Sequence, residues 1–373
     1  MKKNIKRSVN FGIDGSVKVD LNNPVIRFSK NPILSPEDVN KVWFNPEWQV
    51  KTVHNAGVTT IGDKTLMLFR SHLRCGKCVL GIAKSKDGIE NWKVESAPVL
   101  KPAVKDDDFA PGVNKRELIE NEIGGIEDTR IMKIGDTYAI TYSAYHGFIM
   151  DRVRVSLITT KDFINFIRYG PLLDVDMRNV VLFNERFNNK YAGLFRPNDV
   201  TVDHTGGIFT EIKIGYTEDW KSNNWRIIDK PVMKTGGGPS PFQDKIGPGA
   251  PPIKTKKGWL SIFHGVRKTM DGNPYVLGVA LHDLNNPEKV KMSSIPILFP
   301  TKADCKVKED DYIHVPNVVF TCGALRREDG AILVYYGGCD TVMNVGITHE
   351  DILIALCELY PQDAVNGNLL YKF

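Results

Sequence analysis

No stretch of this chain approaches the ~18 consecutive apolar residues that a membrane-spanning helix needs. The basic start, Met1 to Asn10, is followed by no apolar segment, so it lacks the form of a secretory signal. Cysteine is sparse as well. Cys75, Cys78, Cys305, Cys322, Cys339 and Cys357, in 373 residues, form no dense disulfide framework. These absences make the cytoplasm the expected compartment. A long lysine or arginine run is also missing, and the net charge of +5 is spread along the chain. That argues against a nucleic-acid surface and remains compatible with a small anionic substrate. Metal-ligand spacing is confined to Cys75-x-x-Cys78, with His72 nearby but no second such pair. His54, His264 and His314 add no ligand spacing, so no metal and no cofactor are expected.

What the chain does have is a repeat. Five segments end in a short apolar strand with an aromatic near its end: GDKTLMLFR, GDTYAITYS, NNKYAGLFR, KKGWLSIFH and EDGAILVYY. The aromatics are Phe69, Tyr142, Phe195, Phe263 and Tyr335, at intervals of 73, 53, 68 and 72 residues. A turn pair precedes each strand: Gly62-Asp63, Gly135-Asp136, Asn188-Asn189, Lys257-Gly258 and Asp329-Gly330. Such pairs tolerate positive φ and suit hairpins. Another extended segment lies before each turn. A third follows each central strand and ends in a tail such as Ser85-x-Asp87-Gly88…Trp92, which reads as a structural turn with a packing Trp.

Five such units predict an all-β fold, a five-bladed β-propeller with short N-terminal and C-terminal extensions. A β-sandwich is the competing architecture, but it does not account for five copies of the same strand order. Residues 1–40 read as an N-terminal arm, 41–350 as the propeller and 351–373 as a C-terminal helix and tail.

Equivalent positions in a propeller surround one axis. The residue after each repeated aromatic is Arg70, Ser143, Arg196, His264 and Tyr336. Any one of these alone is more simply a structural ion pair. Two arginines and a histidine at equivalent positions predict an anion site. Asn55 and Asp128 each lie 14 residues before their aromatic and form a second ring. Strand alternation sends Glu127 and Asp128 to opposite faces. Without a bulge only one of them faces the axis. Asp128 is the choice, and Glu127 is left to a salt bridge between blades. Lys245, at the mouth of the rigid segment Asp244–Pro252, is a candidate phosphate contact. Asp340, in YYGGCDT, either binds sugar hydroxyls or caps its turn. One carboxylic acid facing a group of cations fits an acid working opposite an anionic nucleophile, with phosphate in the place of activated water.

The segments HNAGVTTI, LFRSHLR, GIEDTRI, RNVVLF, LFRPND, KIGPGAPPI, GWLSIFHGV, LGVALHDL and YYGGCDT together resemble glycoside hydrolase family 130, the β-mannoside phosphorylases. The resemblance runs from about Pro32 to Ile354. It implies a five-bladed propeller and inverting phosphorolysis, with α-mannose 1-phosphate and a shortened sugar as products. Asp128, in Glu127-Asp128-Thr129-Arg130, takes the place of the family's acid, which is thought to pass its proton through the 3-hydroxyl of the mannosyl unit. Arg70, Arg196, Lys245 and His264 take the places of the phosphate ligands, and inorganic phosphate is a co-substrate. Asn55 and Asp340 match the mannose subsite, and Arg74 and Tyr336 complete the expected substrate contacts.

The motif form resembles the branch acting on β-1,4-mannooligosaccharides, mannosyl-N-acetylglucosamine or mannosylglucose. Thr129 stands where proline is common. Enzymes for β-1,2-mannobiose or oligomannan share much of the pattern. A hydrolase branch lacks the full cationic set that this chain keeps. A hydrolase on the same fold and a non-catalytic sugar-binding propeller are the competing functions. A homo-oligomer, with Met1–Asn40 as its candidate interface, is expected. Neither nucleic acid nor membrane is an expected partner.

Overall fold

A computed structural model describes all residues except 1–4, 13–14, 150–151, 199–200, 203–207, 236–239, 271, 308–311 and 373. Asp199, the end of the LFRPND motif, lies outside the described residues. The chain forms a succession of antiparallel sheets with few helices. The first unit comprises His54–Ile61, Lys64–His72, Cys78–Ser85 and the short Lys93–Val94. The second comprises Gly125–Ile134, Thr137–Tyr145, Val153–Thr160 and Phe166–Pro171. Met177–Phe187, Lys190–Pro197 and Glu211–Thr217 build the third, with Arg226–Ile227 and Met233–Lys234 paired to its last long strand. The fourth centres on Trp259–Val266, flanked by Lys245–Pro248 and Ile253–Lys254 on one side and Tyr275–His282 on the other. Val319–Arg326, Ala331–Gly338 and Val342–His349 make the fifth.

The hairpin turns are where positive φ permits them. Gly62, Gly135, Asn188, Asn189 and Gly330 all have φ between +48° and +87°. The Asp/Trp turn is structural, as expected. Asp87 accepts the backbone N–H of Ile89 and Glu90 at 2.8 and 2.9 Å, and the Trp92 ring meets Tyr335 edge-on. Asp162 repeats the turn with Ile164 and Asn165.

Residues 1–40 are more than an arm. Ile26–Arg27 pairs with Gly346 and Ile347 as the outer strand of the fifth unit, and Leu34 bridges to Met343. At the other end, Pro361–Gln362 pairs with Val290–Ser293 of the fourth unit. Between them the helix Glu350–Leu359 buries Ile352, Leu353, Leu356 and Cys357.

Each neighbouring pair of units shares one apolar core. Phe69 lies in the core between the fifth unit and the first, and Tyr142 between the first and second. Phe195 lies between the second and third, and Phe263 between the third and fourth. Each aromatic therefore points toward the preceding unit, and burying such a ring stabilises the fold by roughly 1.5–3 kcal/mol. Three of them lie over a glycine. A Cβ at Gly81, Gly215 or Gly278 would sit 2.3–2.6 Å from the ring of Phe69, Phe195 or Phe263.

The fifth unit corrects the repeat by one residue. Tyr336, not Tyr335, enters the core shared with the preceding unit, while Tyr335 joins the core with the first. Facing agrees. Arg70 reaches Asp128 of the next unit, and the fifth-unit position that abuts the next unit in the same way is Gly337, against Asn55. A one-residue shift in a strand moves every side chain to the other face. Tyr336 is accordingly fully buried, and its hydroxyl donates to Asp304, which also holds Arg27. It is a core residue and not a sugar contact. Tyr336→Phe is expected to cost about 1 kcal/mol of stability, read as a lower urea midpoint, while turnover stays at the wild-type level.

Candidate active site

The site is built on bulges in the first strand of successive units. Register shifts fall between His54 and Gly57, between Glu127 and Arg130, and between Arg178 and Val181. At each shift one polar residue adopts a left-handed backbone: Asn55 (φ 47°), Asp128 (φ 52°) and Asn179 (φ 58°). A bulge sets two residues opposite one and re-aims their side chains. Glu127 and Asp128 consequently face the same partner, contrary to simple alternation. Arg70 meets Glu127 at 2.9 Å and Asp128 at 2.8 Å. Asn55 donates to the same Asp128 oxygen at 3.0 Å.

Arg130, which sequence reasoning left without a role, anchors this cluster. It is buried and donates to the carbonyls of Asp128, Pro248 and Gly249, tying the second unit to the fourth. Burial pushes the Asp128 carboxyl up, but the charges of Arg70 and Arg130 and the hydrogen bonds from Arg70 and Asn55 prevail. They hold it well below the usual carboxylate range. Asp340, also in a left-handed conformation at φ 46°, is buried beside Arg70, Asp128, Glu127 and Asn55. Gly337 abuts Asn55: a Cβ there would lie 2.7 Å from Asn55 Oδ1.

A second group lies on the third and fourth units. Arg178 pairs across the strands with Arg196, and Gly247 with His264. His264 and Arg196 converge over Gly247, where a Cβ would lie 2.5 Å from the imidazole and 3.0 Å from the Arg196 side chain. Arg196 Nε is buried without a partner, and neither Arg178 nor Arg196 forms an ion pair among the described residues. Burial and the neighbouring Arg178 lower the Arg196 pKa to about 10. Two adjacent, unneutralised guanidinium groups make a ready place for an anion. Lys245 is exposed at the rim, and its charge reaches His264. Tyr275 stacks on the His264 ring at 6.2 Å. Arg178 and Tyr275 carry no spacing signal that would have singled them out in the sequence.

His264 departs from the expected cation. Burial first, then the charges of Arg196 and Arg130, push its pKa well below the ordinary histidine value. It is a neutral hydrogen-bonding group. Arg74 is exposed and lines a surface cleft of about 550 Å³ with Lys51, Tyr312 and Thr341, the residue after Asp340. Ser143 is buried at the ring position, its hydroxyl without a partner.

The donor atoms of His72, Cys78 and Glu127 lie within 4.8 Å of one another, a spacing that would suit a metal ion. The Arg70 guanidinium already bonds both His72 and Glu127 there, so a cation fills the position. Cys78 donates to Glu127 at 3.2 Å, and Cys75 is exposed, so the Cys-x-x-Cys pair does not converge. An NMR titration of the imidazole signals is expected to show His264 without a protonation step between about pH 5 and 8.

The sequence and the fold have counterparts. The family model described as β-1,4-mannooligosaccharide phosphorylase, of glycoside hydrolase family 130, matches residues 26–359. A 1,2-β-oligomannan phosphorylase from Thermoanaerobacter sp. (strain X514) is 34% identical over 86% of this chain and 96% of its own length. A 4-O-β-D-mannosyl-D-glucose phosphorylase from Bacteroides fragilis is 29% identical over 92% of this chain and 86% of its own. Among solved structures, β-1,2-mannobiose phosphorylase from Listeria innocua, in complex with β-1,2-mannobiose, aligns with a TM-score of 0.72 and 26% identity. That alignment covers 90% of this chain and 99% of the other. No helix among the described residues is long and apolar enough to cross a membrane. The chain belongs to glycoside hydrolase family 130 and is an enzyme of its mannoside phosphorylase class.

Proposed function

We propose that this protein cleaves β-mannosides with inorganic phosphate, by inversion, on a five-bladed propeller whose blades are the five sheet units. The shared core between the fifth unit and the first supports closure of the ring. The observation that carries the reaction is the division of the site: a carboxylate cluster around Arg70 faces two unneutralised arginines on the third unit, with His264 of the fourth beside them. Phosphate bound by Arg178, Arg196, Lys245 and neutral His264 attacks the anomeric carbon of the mannosyl unit. The C1–O bond breaks, and the departing oxygen takes a proton that Asp128 supplies through the 3-hydroxyl of that unit. The products are α-mannose 1-phosphate and the shortened sugar.

Asp128 needs a proton for this role, and in the free enzyme Arg70 and Arg130 keep it ionised. An arriving phosphate competes for Arg70. As that guanidinium is shared, burial dominates and raises the Asp128 pKa. The acid then forms when the nucleophile is in place. Asn55 orients Asp128 and, with Asp340, contacts the mannosyl unit.

Linkage is the finer question. The motif form pointed to β-1,4-linked substrates, and the family description and the mannosylglucose phosphorylase favour that reading. The oligomannan phosphorylase and the mannobiose-bound structure favour β-1,2-linked mannosides. We assign the β-1,2 linkage first, on the higher identity of the relative that carries it, and β-1,4 second.

Incubation with β-1,2- and β-1,4-mannobiose, with and without phosphate, is expected to release mannose 1-phosphate only when phosphate is present. Equal cleavage without phosphate, yielding free mannose, would favour a hydrolase. Asp128→Asn is expected to lower kcat by roughly 10²–10⁴-fold. His264→Ala is expected to raise the KM for phosphate by about tenfold, the loss of one hydrogen bond to a charged group.

A further inference from the structure

The carboxylate cluster holds three acids and two guanidinium groups. Glu127 and Asp128 each contact a nitrogen of Arg70, and Arg130 adds its charge to Asp128. That set is balanced, with two cations against two anions. Asp340 is the acid left over. It forms no ion pair among the described residues, and its Oδ1 is buried without a hydrogen-bond partner. Asn55 Oδ1, on the residue that contacts Asp340, is buried and unpartnered too. The Asn55 side chain gives Asp340 one hydrogen bond, but the two Oδ1 acceptors stay without a donor, a cost of about 1–3 kcal/mol each. A proton on Asp340 turns one acceptor into a donor and removes the excess charge at the same time.

We propose that Asp340 is a neutral carboxylic acid in the working enzyme, a hydrogen-bond donor within the sugar site, and that its ionisation shuts the enzyme down as pH rises. Its backbone supports a specific placement. Cys339 and Asp340 both hold left-handed conformations, at φ 51° and 46°, as the central residues of a tight turn that the Thr341 N–H closes on the Gly338 carbonyl, and this fixes where the carboxyl sits. The groups facing Asp340 are Arg70 of the first unit, Glu127 and Asp128 of the second, Tyr275 of the fourth, and Cys322 and the adjacent Cys339 of the fifth. Burial is the leading influence, with Asp128 and Glu127 acting in the same sense and Arg70 and the hydrogen bond from Asn55 against them, so its pKa is raised to about 7. Below that pH the acid is neutral. Above it a third carboxylate surrounds Arg70 and opposes the arriving phosphate.

Two measurements test this, and only the second rests on the phosphorylase reading. In the ligand-free protein labelled with ¹³C at aspartate carboxyls, one signal is expected to titrate near neutrality and to be missing from Asp340→Asn. Aspartate-selective labelling keeps the buried Glu122, whose pKa is also raised by burial, out of the spectrum. If every aspartate carbon of the wild type titrates below about pH 5, the ordinary range, the proposal is overturned whatever the reaction is.

In the second measurement, kcat/KM for phosphate is followed across pH for the wild type and Asp340→Asn, whose amide imitates the neutral acid. The ratio of variant to wild type cancels phosphate's own ionisation. It is expected to rise about eightfold between about pH 6.5 and 8, as a single group near 7 ionises. A ratio that stays flat overturns the proposed control of activity. Absence of phosphate-dependent turnover in the wild type counts against the phosphorylase reading and leaves the NMR result to decide the charge of Asp340.

Discussion

Wherever a unit's first strand bulges, two of its residues must fit opposite one on the neighbouring strand, and the site depends on that mismatch. Between Glu127 and Arg130 it brings two successive carboxylates to one guanidinium. Between His54 and Gly57 it turns Asn55 toward Asp128, and between Arg178 and Val181 it places Asn179 in the same backbone conformation. A regular ladder would send every second side chain into the cores between units. Asn and Asp tolerate the left-handed backbone better than most residues, which is why these two types occupy the bulge positions.

The Arg70 clamp is buried, and its parts are interdependent. Removing Arg70 would leave two largely buried carboxylates without their ion pair, a loss of the order of 3–5 kcal/mol for a broken buried pair. The same clamp sets the electrostatic contrast across the site. The first and second units neutralise their charges internally, whereas Arg178 and Arg196 on the third form no ion pair among the described residues. The proposed phosphate and sugar subsites rest on that contrast. Arg130 holds the two halves at a fixed distance through the carbonyls of Pro248 and Gly249.

The scaffold spends little on helices and much on shared cores. Aromatics over glycines repeat in three units because a flat ring needs a neighbour without a side chain to approach the next strand. Chain ends contribute to the sheets. Ile26–Arg27 completes the fifth unit, and Arg27 also joins the Asp304–Tyr336 network beneath it. That network explains why Tyr336 is polar yet fully buried.

Local pattern was sufficient for the strands, the turn pairs and the spacing of Asn55 and Asp128, because alternation and turn chemistry act over a few residues. The convergence of Arg196 with His264 followed from the repeat for the same reason. Side-chain direction within YYGG was ambiguous: two adjacent tyrosines fit the repeat equally, and only packing against the fourth unit selects Tyr336 for that core. A bulge leaves no mark in composition, so the pairing of Glu127 with Arg70 and the service of Arg130 across the centre were decided by tertiary structure alone. Charge state belongs to the same class. Whether His264 is a cation, or Asp340 an anion, depends on burial and on neighbours distant in the chain, and those distances exist only once the units have packed against one another.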